Sequence, residues 1–567
     1  MNETAAVWHQ TYSVFGQGVG VSALIASLPI FILLFLLGVL RRAAWFASIA
    51  GLVVALALAI IAYGMPAKAA VSAAAYGGCF GLFPICWIIF WAIALFRVTV
   101  ETGKFEIIRD SIAHLTPDPR LQALLVAFSF GAFLEGAAGF GTPVAVAATM
   151  LVGFGFSAFS AAAVCLLANT VPVAFGAIGI PIITLAGTTG LPLGKLSSAV
   201  ALLCSPASLL MPVYLLVAMD GFGALSGVWV PALAAGIAFA GTQLMVSILM
   251  GPQLSSILAA LASMVVLVLV VRLRRRECGE MEEAAAFRGA GRYKLKAADS
   301  GSASVARAAV VTEPVPVRSF SQLLYAWVPY ILLVGCVCLW GVGPVQRLMN
   351  KASFVFAWPM LDGIVQRVPP VTSGPAPYHA IFNFNIISAA GTACMAATFL
   401  AAIILRVSAG RFVRLLFAVG RQLAIPILTI FLVLGIGFVM NYCGATATLG
   451  LAFASTGKLF PLFSPMLGLI GVFLTGSDTS ANALFGNLQV VTAGRLGLDP
   501  VLIAAANAAG GVMGKMISVQ TIAVAAAATG LPVIEQARLF RFTLRHSIFL
   551  GLFIGCLALV YVYGLRL

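Results

Sequence analysis

The chain has 567 residues, 62% of them hydrophobic and only 9% charged, with a formal net charge of +15 and a mean hydropathy of +1.09. A soluble domain of this length could not wet such a surface. The positive charge does not suggest nucleic acid, because Lys and Arg cluster between apolar runs as in cytoplasmic loops. The strand alternation of a membrane β-barrel is missing.

In chain order, residues 1–20 are polar and lack a basic n-region, so no cleavable signal is expected. Apolar runs long enough to cross as helices predict spans near 22–40, 43–63, 70–98, 157–187, 199–219, 228–250 and 254–271. A polar stretch follows, and then spans near 323–342, 381–405, 420–440, 500–529 and 547–566. Two further apolar stretches, 121–155 and 461–496, are interrupted by Gly, Pro and charge. Each half of these is about 10–14 residues, too short to cross alone, so both read as re-entrant hairpins rather than kinked crossing helices. Residues 272–322 combine Arg272, Arg274 to Arg276, Glu280, Glu282, Glu283 and small residues, the composition of a disordered basic linker. It joins a first half, 1–271, to a second, 323–567. The function of the outer connection 343–379 is not readable.

The central element occurs twice. Gly131 to Gly136 (GAFLEG) returns as Gly471 to Gly476 (GVFLTG), Ala168-Asn169 as Ala506-Asn507, and Thr189 to Pro192 as Thr529 to Pro532, at offsets of 340, 338 and 340. Weak internal repeats in a membrane protein point to a transporter with its substrate where the copies meet. With both termini outside and neither hairpin crossing, 23 of the 32 Lys and Arg fall inside, eight outside, and one, Lys515, within a span. That bias follows the positive-inside rule. It puts the first hairpin on the cytoplasmic side and the second on the outer side, so the copies are inverted. The fold expected is an all-α polytopic membrane protein of about 12 spans plus two hairpins.

Glu135 lies mid-hairpin in FLEGAAGFGTP. An ionisable group at membrane depth by default marks an ion or proton path; the plainer alternative is a structural partner for a neighbouring cation. Asp478 occupies the matching tip, among Ser477, Thr479, Ser480 and Asn482. Short polar side chains there can bind a small solute or cap exposed helix ends, and the cluster exceeds what one cap needs. Lys515 sits in NAAGGVMGKMIS, where Gly510, Gly511 and Gly514 are expected to let the helix unwind. A cation beside freed N–H groups would seat a carboxylate; snorkelling to the interface is the alternative. Asn169 and Asn507 hold equivalent places and either bind solute or satisfy freed backbone. Gly136, Gly141, Gly476 and Gly514 are placed with the substrate, since glycine-rich segments let a site seal closely, and Thr142 with its hydroxyl. His9, His114, His379 and His546 form no metal pair, and Cys165, Cys204, Cys336 and Cys338 read as reduced core residues. Phosphate-loop, nucleophile-elbow and zinc-protease motifs are absent, so no cofactor, metal or enzymatic activity is expected.

Residues 128–156, 168–182, 473–489 and 510–518 resemble the L-lactate permease family, and the likeness extends over nearly the whole chain. The resemblance implies a bacterial inner-membrane carrier that takes up lactate, and often glycolate, with protons. It also implies a wider ion-transporter superfamily with inverted repeats, paired hairpins and elevator-like motion. On this reading Glu135 or Asp478 carries the proton, and Lys515 anchors the carboxylate. Ser477, Thr479, Ser480, Asn482, Asn169 and Thr142 serve its other oxygens. The expected partners are a small monocarboxylate and the lipid bilayer, with no nucleic acid; a homo-oligomer is compatible. A sodium-coupled carboxylate carrier and an anion channel remain open. Two departures from the family pattern stand out: Val519 where Pro is usual, and the basic linker.

Overall fold

The computed structural model describes residues 7–113, 115–116, 118–139, 141–290 and 319–565. Eleven helices among them are long and apolar enough to cross a membrane, or up to 13 if each of two bent pairs is one span. That count includes Pro119–Ala137 and Ala445–Thr475, helices from the stretches expected not to cross, and leaves out the shorter Ala390–Ile404, so it is not the expected set of 12; the chain is a multi-pass, mostly helical membrane protein. His114 and residues 291–318 of the expected linker lie outside the described residues.

In the first half, α1 spans Ala67–Glu101, α2 Pro119–Ala137 and α3 Thr142–Gly153. Asp118 caps α2, accepting from the Arg120 N–H at 2.8 Å, and the Arg120 guanidinium donates to the carbonyls of Ala224 and Ser226. This pins the start of α2 to a neighbouring loop. The α2 helix is 19 residues long, more than the sequence suggested, and 94% of its 18-residue apolar window is buried inside the protein. A backbone turn beyond it is therefore sheltered from lipid, as irregular structure at membrane depth requires. Gly141, at φ +80°, turns the chain into α3. Next, α4 (Ala158–Ala168) and α5 (Val173–Thr189) form a span bent by 65°.

In the second half, α6 spans Ala409–Cys443, α7 Phe460–Thr475 and α8 Asp478–Leu496. Gly476, at φ +72°, makes the turn between α7 and α8. The α8 arm is likewise 19 residues, not a half-length segment. Beyond it, α9 covers Pro500–Lys515 and α10 Val519–Thr529. The expectation that Gly510, Gly511 and Gly514 unwind this span is wrong: all three are helical, and the break follows at 516–518. They allow close approach instead. A methyl on Gly510 would strike the Pro465 carbonyl, one on Gly514 the Leu469 carbonyl, and one on Gly468 the Asn507 carbonyl. Small residues on both helices thus press α7 against α9, the usual device where lipid supplies no hydrophobic drive.

Three other expectations change. The chain is not purely helical: β1 (Trp8–His9) pairs with β3 (Val365–Arg367), β3 with β4 (Ala376–Pro377), and β2 (Phe354–Ala357) with β5 (Ile381–Phe384). The span expected at 381–405 is a helix only over Ala390–Ile404, because the alternating Ile381-Phe382-Asn383-Phe384 forms β5. The helix beginning at Ser255 runs to Ala290, so the start of the expected disordered linker is helical. Pairing of β1 with β3 also puts the N-terminal segment on the same face as the 343–379 connection.

Candidate functional site

Both turns and both breaks meet at one cavity of about 1070 Å³. Glu135, Gly141 and Thr142 line it from the α2–α3 turn, and Gly476, Ser477, Asp478, Thr479 and Ser480 from the α7–α8 turn. Lys515 comes from the end of α9. The cavity continues past Ala145 and Thr149 to Arg97, Glu106 and Arg109 at the far end of α1 and just beyond it.

Local chemistry fixes each group. Asp478 is the first residue of α8, where a carboxylate suits the positive end of the helix dipole. The preceding Ser477 caps α8, its Oγ accepting from the Ser480 N–H at 3.3 Å. Lys515 donates from Nζ to the Gly476 carbonyl at 2.8 Å. It therefore sits at the carbonyl end of α7, not among freed N–H groups as expected. Its ammonium acts electrostatically on both Glu135 and Asp478. The two carboxyls are only 4% and 3% exposed. Glu135 Oε1 packs against Gly176, where an added methyl would come within 2.9 Å of it, and a methyl on Gly511 would collide with Asp478 Oδ1. Glu135 Oε2 and Asp478 Oδ1 are buried without a hydrogen-bond partner among the described residues.

The remaining predicted residues stand back from the cavity wall. Asn482 donates to the Pro181 carbonyl at 3.2 Å and to Asp478 Oδ2 at 3.4 Å. Its Oδ1 accepts from Asn507 Nδ2 at 3.0 Å, and Asn507 Oδ1 accepts from Gln489 at 3.1 Å. Asn169 follows α4 as its C-cap, buried within hydrogen-bonding reach of the Glu135 carboxyl, with neither of its polar atoms in a well-formed hydrogen bond among the described residues. Gly136 is a packing residue: a methyl there would press on Ser256 and Ile257. Gly514 likewise packs against α7.

Two residues were missed by the sequence reading. Gln520, in the first turn of α10, lines the cavity, and its Oε1 would lie 2.6 Å from a methyl on Gly476. Gln489 ties the asparagine network to the Ser464 carbonyl. Both are amides inside apolar runs, the signal that marked Asn169 and Asn507. Val519 is the first residue of α10, a position where Pro is tolerated, so the departure there leaves the break intact. Thr142, Ser477, Thr479 and Ser480, the helix-start N–H groups beside them, and one ammonium make a pocket fitted to a small anion with hydroxyl or carboxyl oxygens.

A family profile described as L-lactate permease matches residues 22–565. The L-lactate permease of Bacillus subtilis (strain 168) is 42% identical over 560 residues, covering 96% of this chain and 97% of that protein. The glycolate permease GlcA of Escherichia coli (strain K12) is 41% identical over 563 residues, covering 98% of each. The L-lactate permease of the same strain is 39% identical over 569 residues, covering 99% of each. Among solved structures, the YdaH transporter of Alcanivorax borkumensis aligns with 84% of both chains at 16% identity and a TM-score of 0.39, too low for that likeness to carry weight.

Proposed function

The chain belongs to the L-lactate permease family, and on that footing we propose that it is a secondary active transporter importing L-lactate and related 2-hydroxymonocarboxylates, D-lactate and glycolate, by proton symport. The observation that carries this reading is that Lys515, Glu135 and Asp478 line one cavity, with both carboxyls buried and Lys515 donating to the Gly476 carbonyl near the start of α8. An anionic substrate taken out of water needs a cation and good hydrogen bonds. Lys515, the Thr142, Ser477 and Thr479 hydroxyls and the first N–H groups of α8 supply both. With Glu135 or Asp478 protonated, Lys515 is released from competing anions and pairs with substrate carboxylate; with the proton gone, the acid reclaims it. Proton and substrate then bias one conformational equilibrium, which is what coupling requires.

In this reading, 1–271 and 323–567 are inverted halves joined by 272–322, and α2–α3 and α7–α8 are re-entrant hairpins entering from opposite faces. Transport is an elevator-like displacement of the hairpins. Positive-inside charge puts Arg97 and Arg109 in the cytoplasm of a bacterial inner membrane, so the large cavity is open inward and the termini are outside. The test is uptake into proteoliposomes in sodium-free buffer under an imposed pH gradient, with lactate enantiomers, glycolate, pyruvate and acetate as competitors. Accumulation against a gradient, competed by 2-hydroxy acids, is expected. A sodium requirement would replace the coupling ion, and flux without accumulation would make the protein a channel.

A further inference from the structure

A second cavity, of about 690 Å³, lies on the other side of the same helices. Three helices line both. On α1, Ile93 to Val100 face the large cavity and Tyr76 to Pro84 the small one. On α5, Gly176 to Pro181 face the large cavity and Ala186 to Thr189 the small one. On α6, Gln422 to Ile430 face the large cavity and Phe438 to Tyr442 the small one. All three change cavities at mid-length, so the cavities share an axis. From Pro181 to Ala186 and from Ile430 to Phe438, a rise of about 1.5 Å per residue leaves a septum only about 8–12 Å thick.

The septum is polar and loosely bonded. Asn441 donates to the Thr188 carbonyl at 3.4 Å, Thr188 Oγ to the Asn482 carbonyl at 3.4 Å, and Asn482 to Asp478 Oδ2 at 3.4 Å. Hydrogen bonds at these lengths are weak. They run without a gap from Asn441, on the small cavity, to Asp478, on the large one. The strand cap roofs the small cavity and is tied down by tyrosines: Tyr76 donates to the Ile381 carbonyl at 2.9 Å and Tyr442 to the His379 carbonyl at 2.8 Å. Its lining offers amides and hydroxyls against aromatic walls; among the described residues no acidic residue lines it directly, and the Asp362 carboxylate behind it is paired with His379 at 3.3 Å.

We infer that this second cavity is the access vestibule for the small monocarboxylate on the face opposite the large cavity, and that the Asn441–Thr188–Asn482 septum is what must part to admit it to the Asp478 and Lys515 site. This rests on the transport reading above, and the two are tested separately. Thr189→Cys and Asn383→Cys, both on the small cavity, and Thr149→Cys, on the large one, are made in a cysteine-free chain. Each is treated with membrane-impermeant sulfonatoethyl methanethiosulfonate from one face at a time. Lactate uptake by the untreated variants reports on the proposed function; sidedness of labelling reports on the vestibule. Expected is labelling of Thr189→Cys and Asn383→Cys from the face opposite that which labels Thr149→Cys, loss of uptake on labelling, and slower labelling of Thr189→Cys in excess lactate. Labelling of all three from one face, or full labelling with uptake unchanged, would overturn the inference. If the cysteine-free chain does not transport, the same variants in the native chain are compared with their parent under the same reagent.

Discussion

Asn169 and Asn507 stand at equivalent points of the two broken spans, yet their surroundings differ. Asn507 is held on both sides, donating to Asn482 and accepting from Gln489. Asn169 lies within hydrogen-bonding reach of the Glu135 carboxyl but makes no well-formed hydrogen bond, and Glu135 Oε2 makes none either. A buried amide without partners is expensive, and it persists where something else completes it part of the time. The second stretch thus bonds its asparagine into a network beside Asp478, while the first leaves its asparagine outside one. Each stretch still keeps one buried carboxyl oxygen, Glu135 Oε2 or Asp478 Oδ1, without a partner among the described residues, so the two differ in how the asparagine is held and not in how the carboxyl is closed off.

The largest effect on this contrast is expected from Lys515→Ala. It removes the ammonium that lines the cavity with Glu135 and Asp478, and losing a charged hydrogen bond is worth about 1.5–3 kcal/mol, or roughly tenfold to a hundredfold in affinity. The half-saturation concentration for lactate uptake should rise by that factor; an unchanged value would remove the anion anchor. Glu135→Gln separates coupling from binding. It keeps size and hydrogen-bonding capacity but holds no exchangeable proton, so lactate exchange should persist while pH-driven accumulation disappears. If accumulation survives intact, Asp478 is the coupling acid, and Asp478→Asn should show the loss instead.

Stability should track the asparagine network. Asn507→Ala strands Asn482 Oδ1 and a Gln489 N–H in a buried region, at a cost of about 1–3 kcal/mol for each group left unpaired, seen as a lower melting temperature in detergent. Gly510→Ala forces a methyl onto the Pro465 backbone, which cannot rotate away, and overpacking of this kind costs about 1–3 kcal/mol. A melting temperature equal to the parent's for either variant would show that α7 and α9 are not packed as described.

The contrast explains what was legible in the sequence. Glu135, Asp478 and Lys515 stood out because a charge in an oily run has few structural reasons to exist, and all three line one cavity. The glycines of 510–514 were misread because helix breaking and close helix packing demand the same residue; only the nearness of Pro465 and Leu469 decides between them. Gly136 was misassigned to substrate for the same reason, its partner being the distant Ile257. The strand at Ile381–Phe384 was hidden because a short apolar run next to a helix has no periodicity of its own. Gln520 was passed over because nothing local shows that α10 starts at the turn made by Gly476.

The smallest effect on stability, and the sharpest discriminator, is expected from Asn169→Ala. Asn169 stands beside Glu135 without a well-formed hydrogen bond, so removing its amide breaks no strong bond and the loss of stability should stay within about 0.5 kcal/mol. Transport should fall, because the site beside Glu135 loses a group that substrate or water completes during the cycle. Paired with Asn507→Ala, the result is a reciprocal pattern: one asparagine affects melting more than uptake, the other uptake more than melting. Equal effects from both would mean that the repeats are symmetric in use as well as in sequence.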